Sequence, residues 1–447
     1  MTQAATALAG PLPWRRGVAW LLFLGPFFFL SYGFANHLAA QRAVAESLFF
    51  PWETRIPFLP WTILPYWSID LLYGFSFLCC RDARAVDRHA FRLLTAQLVA
   101  VVCFLAFPLR FAFPRPASDG LFGALFDALT SFDQPYNQAP SLHIALLVII
   151  WVQFARLQGG PALRFLIHGW ALLIGVSVLT TWQHHFIDVP TGAALGLLCL
   201  SLWPNAGPLP LTVARPVVAA RRRLATFYGA GAALAGITAL LLGGAGLWLG
   251  WLAIALALVA WNYAWCGASG FQKQAGRHSL GAALLLAPYT LGAWLNSRWW
   301  TRRRPAPDCI ADDVWLGRLP TAAALKAGGF TALCDLTAEL PAPLGAWRYA
   351  GHSWLDLVPP TADQLLAAAR SIEALRGQGP VLVACALGYS RSAGAVAAWL
   401  CLSGRADGME EALALLTERR PEVVVGPGLR ATLADVEALL ADGGGHA

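Results

Sequence analysis

The run Cys385-Ala386-Leu387-Gly388-Tyr389-Ser390-Arg391-Ser392 has residue types and spacing suited to phosphoryl transfer. The apolar stretch before it, Val381 to Ala384, reads as a buried strand, and Ser392 to Leu402 reads as a helix. A loop between a strand and a helix N-terminus turns successive backbone N–H groups toward one point, which suits a phosphate dianion. Ala386, Leu387, Gly388, Tyr389 and Ser390 are therefore the candidate phosphate-binding positions. A thiol at the start of such a loop lies in the same positive field, which lowers its pKa and supplies the attacking thiolate. Arg391, six positions on, can grip two phosphate oxygens through its planar fork. Gly388 permits a backbone conformation that a side chain would obstruct. Ser392 can donate a hydrogen bond to the sulfur as it leaves.

A second constellation lies in the N-terminal half. It comprises Arg115-Pro116, Pro140-Ser141-Leu142-His143 and Gln183-His184-His185-Phe186-Ile187-Asp188. Ionisable groups at membrane depth are expensive and usually functional. Two histidines, an arginine and an aspartate suit phosphoryl transfer as well. One imidazole attacks, Asp188 fixes its tautomer, the other imidazole protonates the leaving oxygen, and Arg115 holds the phosphate.

The elements that must position these residues differ between the two halves. Hydrophobic residues are 57% of the 447 and charged residues 13%, about half the charged fraction of an ordinary soluble domain. The net charge of +7 is not a nucleic-acid footprint. The arginines fall in short stretches between apolar runs (Arg15-Arg16, Arg81 to Arg92, Arg215 to Arg223, Arg298 to Arg304), as in the cytoplasmic loops of membrane proteins. Apolar runs fall near 17–35, 61–80, 93–109, 143–156, 164–182, 187–203, 227–243, 246–262 and 280–296. The first is read as a retained anchor rather than a cleaved signal. With the basic loops inside, segments 37–60, 110–140 and 182–188 lie outside, so the histidines and Arg115 share one membrane face. The basic stretch Ser297 to Arg304 argues for an inside C-terminus, with the run at 280–296, interrupted by Pro288, re-entrant or interfacial. The nine cysteines show no paired metal-site spacing, and no metal or cofactor is expected.

Beyond Pro307 the texture becomes that of a soluble α/β domain. Val314 to Leu316 and Ala332 to Leu336 read as strands. Thr361 to Arg376 reads as an amphipathic helix, with Leu365, Leu366, Ala369, Ile372 and Leu375 on one face, and Met409 to Arg419 as another.

Two resemblances follow from these motifs. Residues 308–440, with Cys385 to Ser392, Leu316 to Pro320, Asp335-Leu336-Thr337 and Arg420-Pro421, resemble the protein tyrosine and dual-specificity phosphatases. That likeness implies that Cys385 forms a phosphocysteine and that Arg391 stabilises the transferring group. It also implies a general acid on an upstream loop: Asp356, 29 positions before Cys385, with Asp363 in reserve. Ala384 stands where the family carries histidine. Residues 1–204 are similar to the type 2 phosphatidic acid phosphatase (PAP2) superfamily. This implies His184 as nucleophile, Asp188 as its partner, His143 as acid, and Ser141 and Arg115 as phosphate ligands. Pro108, Leu142 and Val178 depart from that pattern and bring it nearer the inositol phosphorylceramide synthase-like branch.

The fold expected is a polytopic α-helical membrane domain (1–204), further hydrophobic segments and a basic linker (205–304), and a soluble α/β cysteine-phosphatase domain (305–447). The function expected is a bifunctional membrane phosphatase. A histidine-dependent lipid phosphatase or head-group phosphotransferase would face the periplasm of a bacterial inner membrane, and a cysteine phosphatase would face the cytoplasm. Its partners would be a lipid phosphate and a phosphoprotein or other phosphomonoester, with no nucleic acid. The alternatives are a membrane-tethered protein phosphatase with a non-catalytic anchor, and a receptor whose degenerate membrane site binds phospholipid.

Overall fold

A computed structural model describes residues 13–42, 44–205, 209–210 and 219–443. The start of the basic stretch, Arg215 to Val218, lies outside the described residues. The chain divides into two compact units, Met1–Leu209 and Pro210–Ala447.

The first unit is helical: α1 (Trp14–Gln41), α2 (Ile63–Ser76), α3 (Ala83–Ala106), α4 (Gly120–Thr130), α5 (Leu142–Phe154), α6 (Pro161–Thr180) and α7 (Asp188–Leu202). Helices α1, α3 and α6 are long and apolar enough to cross a membrane. The 13 residues of α5 reach only about 20 Å against a hydrocarbon core of about 30 Å. Helices α5 and α7 pack closely because of two glycines one turn apart. A Cβ on Gly192 would lie 2.4 Å from the Ser141 carbonyl oxygen, and one on Gly196 would lie 2.7 Å from that of Ala145. Small residues at this spacing let helix backbones approach. The C-terminus of α7 is held by arginines of α3. Arg88 donates to the Pro204 carbonyl at 2.5 Å, and Arg92 donates to the Trp203 carbonyl and, at 2.8 Å, to Asn205 Oδ1. Cations at this end satisfy open carbonyls and complement the helix dipole.

The second unit begins with α8 (Ala219–Leu242) and α9 (Leu249–Trp261), which continues in tighter and wider turns to Phe271. Residues 220–242 and 244–271 are each long and apolar enough to cross a membrane. A hairpin of β1 (Lys273–Gln274) and β2 (Arg277–His278) leads to α10 (Leu280–Leu285) and α11 (Ala287–Trp300). The apolar run at 280–296 is thus two helices rather than one span. It breaks at Leu286, two residues before Pro288, whose ring clashes with the preceding turn and cannot donate to it.

From Asp308 the chain forms β3 (Asp308–Ala311), β4 (Val314–Arg318), α12 (Ala322–Ala327), β5 (Ala332–Thr337), β6 (Arg348–Trp354), α13 (Ala362–Arg376), β7 (Val381–Cys385), α14 (Arg391–Leu402), α15 (Met409–Arg419) and α16 (Pro427–Gly443). The sheet order is β3-β4-β7-β5-β6, antiparallel between β3 and β4 and parallel elsewhere. Central strands β5 and β7 are buried along their whole length, as strands covered on both faces must be. Helix α13 starts at a capping box, in which Thr361 accepts from the Gln364 N–H and Gln364 accepts from that of Thr361. It buries Leu365, Leu366, Ala369, Ile372 and Leu375 against α14 and the sheet. The register aligns Arg318 with Cys385 and Asp335 with Ala384, so the C-terminal ends of β4, β7 and β5 reach one edge. Loops leaving the C-terminal ends of parallel strands are where α/β folds carry their sites.

Candidate active sites

In the second unit the site assembles at that edge. Cys385 ends β7, and Arg391 opens α14, with the loop 386–390 between them. The loop carbonyls are engaged on its outer side. That of Cys385 accepts from the Leu319 N–H at 2.7 Å, that of Ala386 from Ser297 Oγ at 2.5 Å, that of Gly388 from Arg420 Nε at 3.1 Å, and that of Tyr389 from the Val424 N–H at 2.9 Å. With the carbonyls held outward, the N–H groups turn inward, and that of Gly388 donates to Cys385 Sγ at 3.2 Å. Gly388 is required on two counts. Its φ is +75°, and a Cβ there would sit 2.3 Å from the Gly317 carbonyl carbon.

Ser392 Oγ lies 3.2 Å from Cys385 Sγ. Burial pushes the Cys385 thiol up. The Arg391 guanidinium, the Ser392 hydroxyl and the N–H groups of Ser392 and Gly388 outweigh it, so the net direction is down.

Arg391 is buried and held on three sides. It donates to Glu339 Oε1 at 2.6 Å and Oε2 at 3.0 Å, to the Trp354 carbonyl at 2.9 Å, and it pairs with Asp356 Oδ1 at 2.9 Å. Asp356 follows the end of β6 and Glu339 the end of β5, so three strand ends supply the cluster. Burial, with a smaller push from Glu339, raises the Asp356 carboxyl against the opposing pull of Arg391. Glu339 goes the other way: Arg391 and Lys273 overcome its burial and hold it below the usual carboxylate range. Asp363, the reserve acid, sits in the first turn of α13, where a carboxylate complements the helix dipole. Arg420 is fully buried, bound to Asp308 Oδ2 at 2.6 Å as well as to the loop carbonyl.

Sequence reasoning passed over Glu339 and Lys273. Lys273, on the β1–β2 hairpin, pairs with Asp335 Oδ2 at 2.5 Å and donates to the carbonyl and hydroxyl of Thr337, with both charges fully buried. It thereby fixes the end of β5 from which Glu339 projects. The available signal was scarcity, since the chain contains only two lysines, Lys273 and Lys326.

In the first unit, His184 Nδ1 lies 3.2 Å from Asp188 Oδ2, the same oxygen that accepts from the His185 N–H at 3.0 Å. Among the described residues His184 Nε2 has no hydrogen-bond partner. Both ring nitrogens of His185 are committed: Nδ1 donates to Glu53 Oε2 at 3.0 Å and Nε2 accepts from the Ala112 N–H at 3.0 Å. His143, in the first turn of α5, stacks on Tyr66 with ring centroids 4.2 Å apart, and its Nε2 is buried without a partner among the described residues. Ser141 caps α5, accepting from the Ile144 N–H at 3.3 Å, and its own N–H donates to the Asp188 carbonyl at 3.1 Å. The Arg115 guanidinium lies over Phe126 at 4.9 Å, with its Nε buried and unpartnered among the described residues. Glu53 and Asp133, which receives the Tyr32 hydroxyl at 2.8 Å, gave no sequence signal.

No family model matches the chain, and no curated protein matches it. Solved structures similar to it include a point variant of human DUSP28, 23% identical over 31% of this chain and 99% of that one, with a TM-score of 0.29. Another is Tk-PTP in its active form, 29% identical over 30% of this chain and 98% of that one, with a TM-score of 0.28. A third is PTPMT1, 18% identical over 32% of this chain and all of that one, with a TM-score of 0.29.

Proposed function

We propose that the second unit is a cysteine-dependent phosphomonoesterase. The observation that carries this reading is the Cys385 loop, with carbonyls tied outward, the sulfur in hydrogen-bond reach of Ser392 and Gly388, and Arg391 bridging Glu339 and Asp356. The Cys385 thiolate attacks phosphorus, forming an S–P bond as the ester P–O bond breaks. Asp356 gives its proton to the leaving oxygen, while Arg391 and the loop N–H groups hold the equatorial oxygens. Water then attacks the phosphocysteine, Asp356 takes its proton, and the S–P bond breaks to release phosphate and regenerate the thiolate. Ser392 stabilises the departing sulfur in this second step. Cys385→Ser is expected to abolish release of phosphate from p-nitrophenyl phosphate, and wild-type protein quenched in acid is expected to carry a cysteine-bound phosphoryl group. Full retained turnover by Cys385→Ser refutes the reading.

A second reading concerns the first unit and rests on two buried nitrogens without a hydrogen-bond partner among the described residues, His143 Nε2 and Arg115 Nε. In a membrane protein such groups need a polar ligand. His184 attacks a lipid phosphate, forming an N–P bond as the ester P–O bond breaks, while Asp188 supports its developing charge, His143 protonates the leaving oxygen, and Arg115 and Ser141 hold the phosphate. Water or an acceptor hydroxyl then displaces His184 and carries the phosphoryl group away. His184→Ala should abolish phosphate release from, or head-group transfer between, lipids. If that variant alters no lipid reaction, the unit is an anchor. The multi-pass placement in a bacterial inner membrane, with the histidines outside and the C-terminus inside, belongs to this proposal. A fusion reporter after Arg304 that signals outside overturns the C-terminal side.

A further inference from the structure

We infer that the cysteine site acts on a phosphate monoester carried by a membrane lipid and presented at headgroup depth. This inference rests on the cysteine chemistry proposed above and narrows it to one substrate class.

Each of the three loops that build the site is bound by the apolar helices of the same unit. The loop after β7 is held by α11: Ser297 Oγ donates to the Ala386 carbonyl, and Tyr389 Oη donates to the Trp300 carbonyl at 3.3 Å. The loop after β6 is held by the continuation of α9, where Tyr263 Oη donates to the carbonyl of Asp356 itself at 3.0 Å. The loop after β5 is held by α11, through Thr290 Oγ1 on the Glu339 carbonyl at 3.4 Å, and by His278 on the Ala338 carbonyl at 2.9 Å. Val259, Tyr263, Phe271, Ala282 and Leu286 of the helical segments share one buried apolar cluster with Ala338 and Leu355 of the loops. Helices that only tethered a soluble enzyme would need none of these contacts.

The outer surfaces of the same helices are apolar. On α9, Trp251 and Ile254 are exposed, and on α11 Leu291 and Leu295, as a lipid-facing surface requires. The segments that touch the loops carry exposed tryptophans beside the contact residues: Trp261 and Trp265 around Tyr263, and Trp294, Trp299 and Trp300 around Ser297. Exposed tryptophans followed by Arg302 and Arg303 mark the level of a membrane–water interface. Leu357, directly after Asp356, is 69% exposed with φ +57°, an apolar side chain displayed beside the acid. A phosphate at headgroup depth reaches this site with its acyl chains still in the bilayer, whereas a folded phosphoprotein would have to displace lipid. The loop positions 386–390 contain no lysine or arginine beyond Arg391 at their end, which fits one phosphate group rather than a multiply phosphorylated head.

The test uses the full chain in phosphatidylcholine vesicles, in a His184→Ala background that silences the first unit, with the Cys385→Ser double variant as blank. Probes are long-chain phosphatidate, glycerol 3-phosphate, a phosphotyrosine peptide and p-nitrophenyl phosphate. Cys385-dependent release from phosphatidate is expected to exceed that from the peptide and from glycerol 3-phosphate by at least about tenfold. It should fall when phosphatidate is diluted with phosphatidylcholine at constant bulk concentration. Cys385-dependent release from p-nitrophenyl phosphate or peptide with none from phosphatidate overturns the lipid inference alone. So does equal turnover of glycerol 3-phosphate. No Cys385-dependent release from any probe overturns the cysteine chemistry and the inference together.

Discussion

Replacing Asp356 by asparagine separates the acid's chemical role from its structural one. In the free protein its carboxylate pairs with Arg391 at 2.9 Å, while Glu339 holds the same guanidinium through two bonds, at 2.6 and 3.0 Å. The Asp356 side chain is 38% exposed, so losing its ion pair should cost under about 1 kcal/mol of stability, the range of solvent-accessible pairs. Loss of a general acid costs about 10²–10⁴ in rate, or about 3–5 kcal/mol in the barrier. The kinetic effect should therefore far exceed the thermodynamic one. The sign of the pH dependence follows from the two perturbed groups. Cys385 is lowered, so thiolate forms at lower pH than for a free cysteine; Asp356 is raised, so it stays protonated above the usual carboxylate range. The active form holds a thiolate and a protonated Asp356, which gives kcat/KM an acidic limb from Cys385 and an alkaline limb from Asp356. In Asp356→Asn the alkaline limb should vanish and the acidic limb persist. The rate on an alkyl phosphate should fall by at least about 10², and that on p-nitrophenyl phosphate, whose phenolate leaves without a proton, by much less. Equal losses on both esters, or a surviving alkaline limb, refute the assignment and move attention to Asp363.

Glu339→Gln removes one charge of a buried pair and should destabilise the protein by about 3 kcal/mol in chemical denaturation. It should also move both limbs of the pH profile to lower pH, because Arg391 then acts unopposed on Cys385 and the Glu339 charge no longer raises Asp356. Gly388→Ala, which meets backbone at 2.3 Å and carries φ +75°, should lower kcat at least about 100-fold and cost at least about 1–2 kcal/mol, read by turnover and unfolding midpoint. Glu373 is held at about 2, chiefly by Arg376, with Trp399 and Arg405 adding to the effect. A lowered carboxylate stabilises above its unfolded value and loses that contribution as pH falls toward its folded one. Its side chain is 40% exposed, so the gap between wild type and Glu373→Gln should be only about 1 kcal/mol at neutral pH and should close between about pH 4.5 and 2.

The central strands were legible because burial on both faces leaves nearly continuous apolar runs, as in Ala332–Thr337 and Val381–Cys385. Strand β6, Arg-Tyr-Ala-Gly-His-Ser-Trp, lies at the sheet edge, where one neighbour and partial exposure leave no such pattern. Strand β3 and helix α12, at four and six residues, are too short for a period to show. The apolar run at 280–296 exceeded the resolving power of hydropathy for a different reason. Pro288 marks an interruption in the sequence, but hydropathy does not say how the chain responds to it, whereas the backbone at Leu286 shows two separate helices.

The sites divide along the same physical line. Cys385, Arg391 and Ser392 are close in sequence, and His184 and Asp188 share one short segment, so spacing alone brings them within reach. What holds them in place comes from residues with no spacing to read: Glu339 for Arg391, Lys273 for the strand end behind Glu339, and Glu53 for the neighbouring His185. The contribution of the apolar helices is of this second kind. Tyr263 and Ser297 lie just beyond the apolar runs 246–262 and 280–296 with no motif to mark them, yet each holds a carbonyl of a loop that positions the chemistry. A segment that looks like a tether by composition is, by its hydrogen bonds, part of the wall of the site. Swapping 219–300 for an unrelated membrane anchor would therefore remove the outward restraint on Ala386 and the support of Asp356. Such a chimera, tested against p-nitrophenyl phosphate, should retain the cysteine loop's sequence and lose most of its turnover; full activity would reduce those helices to an anchor.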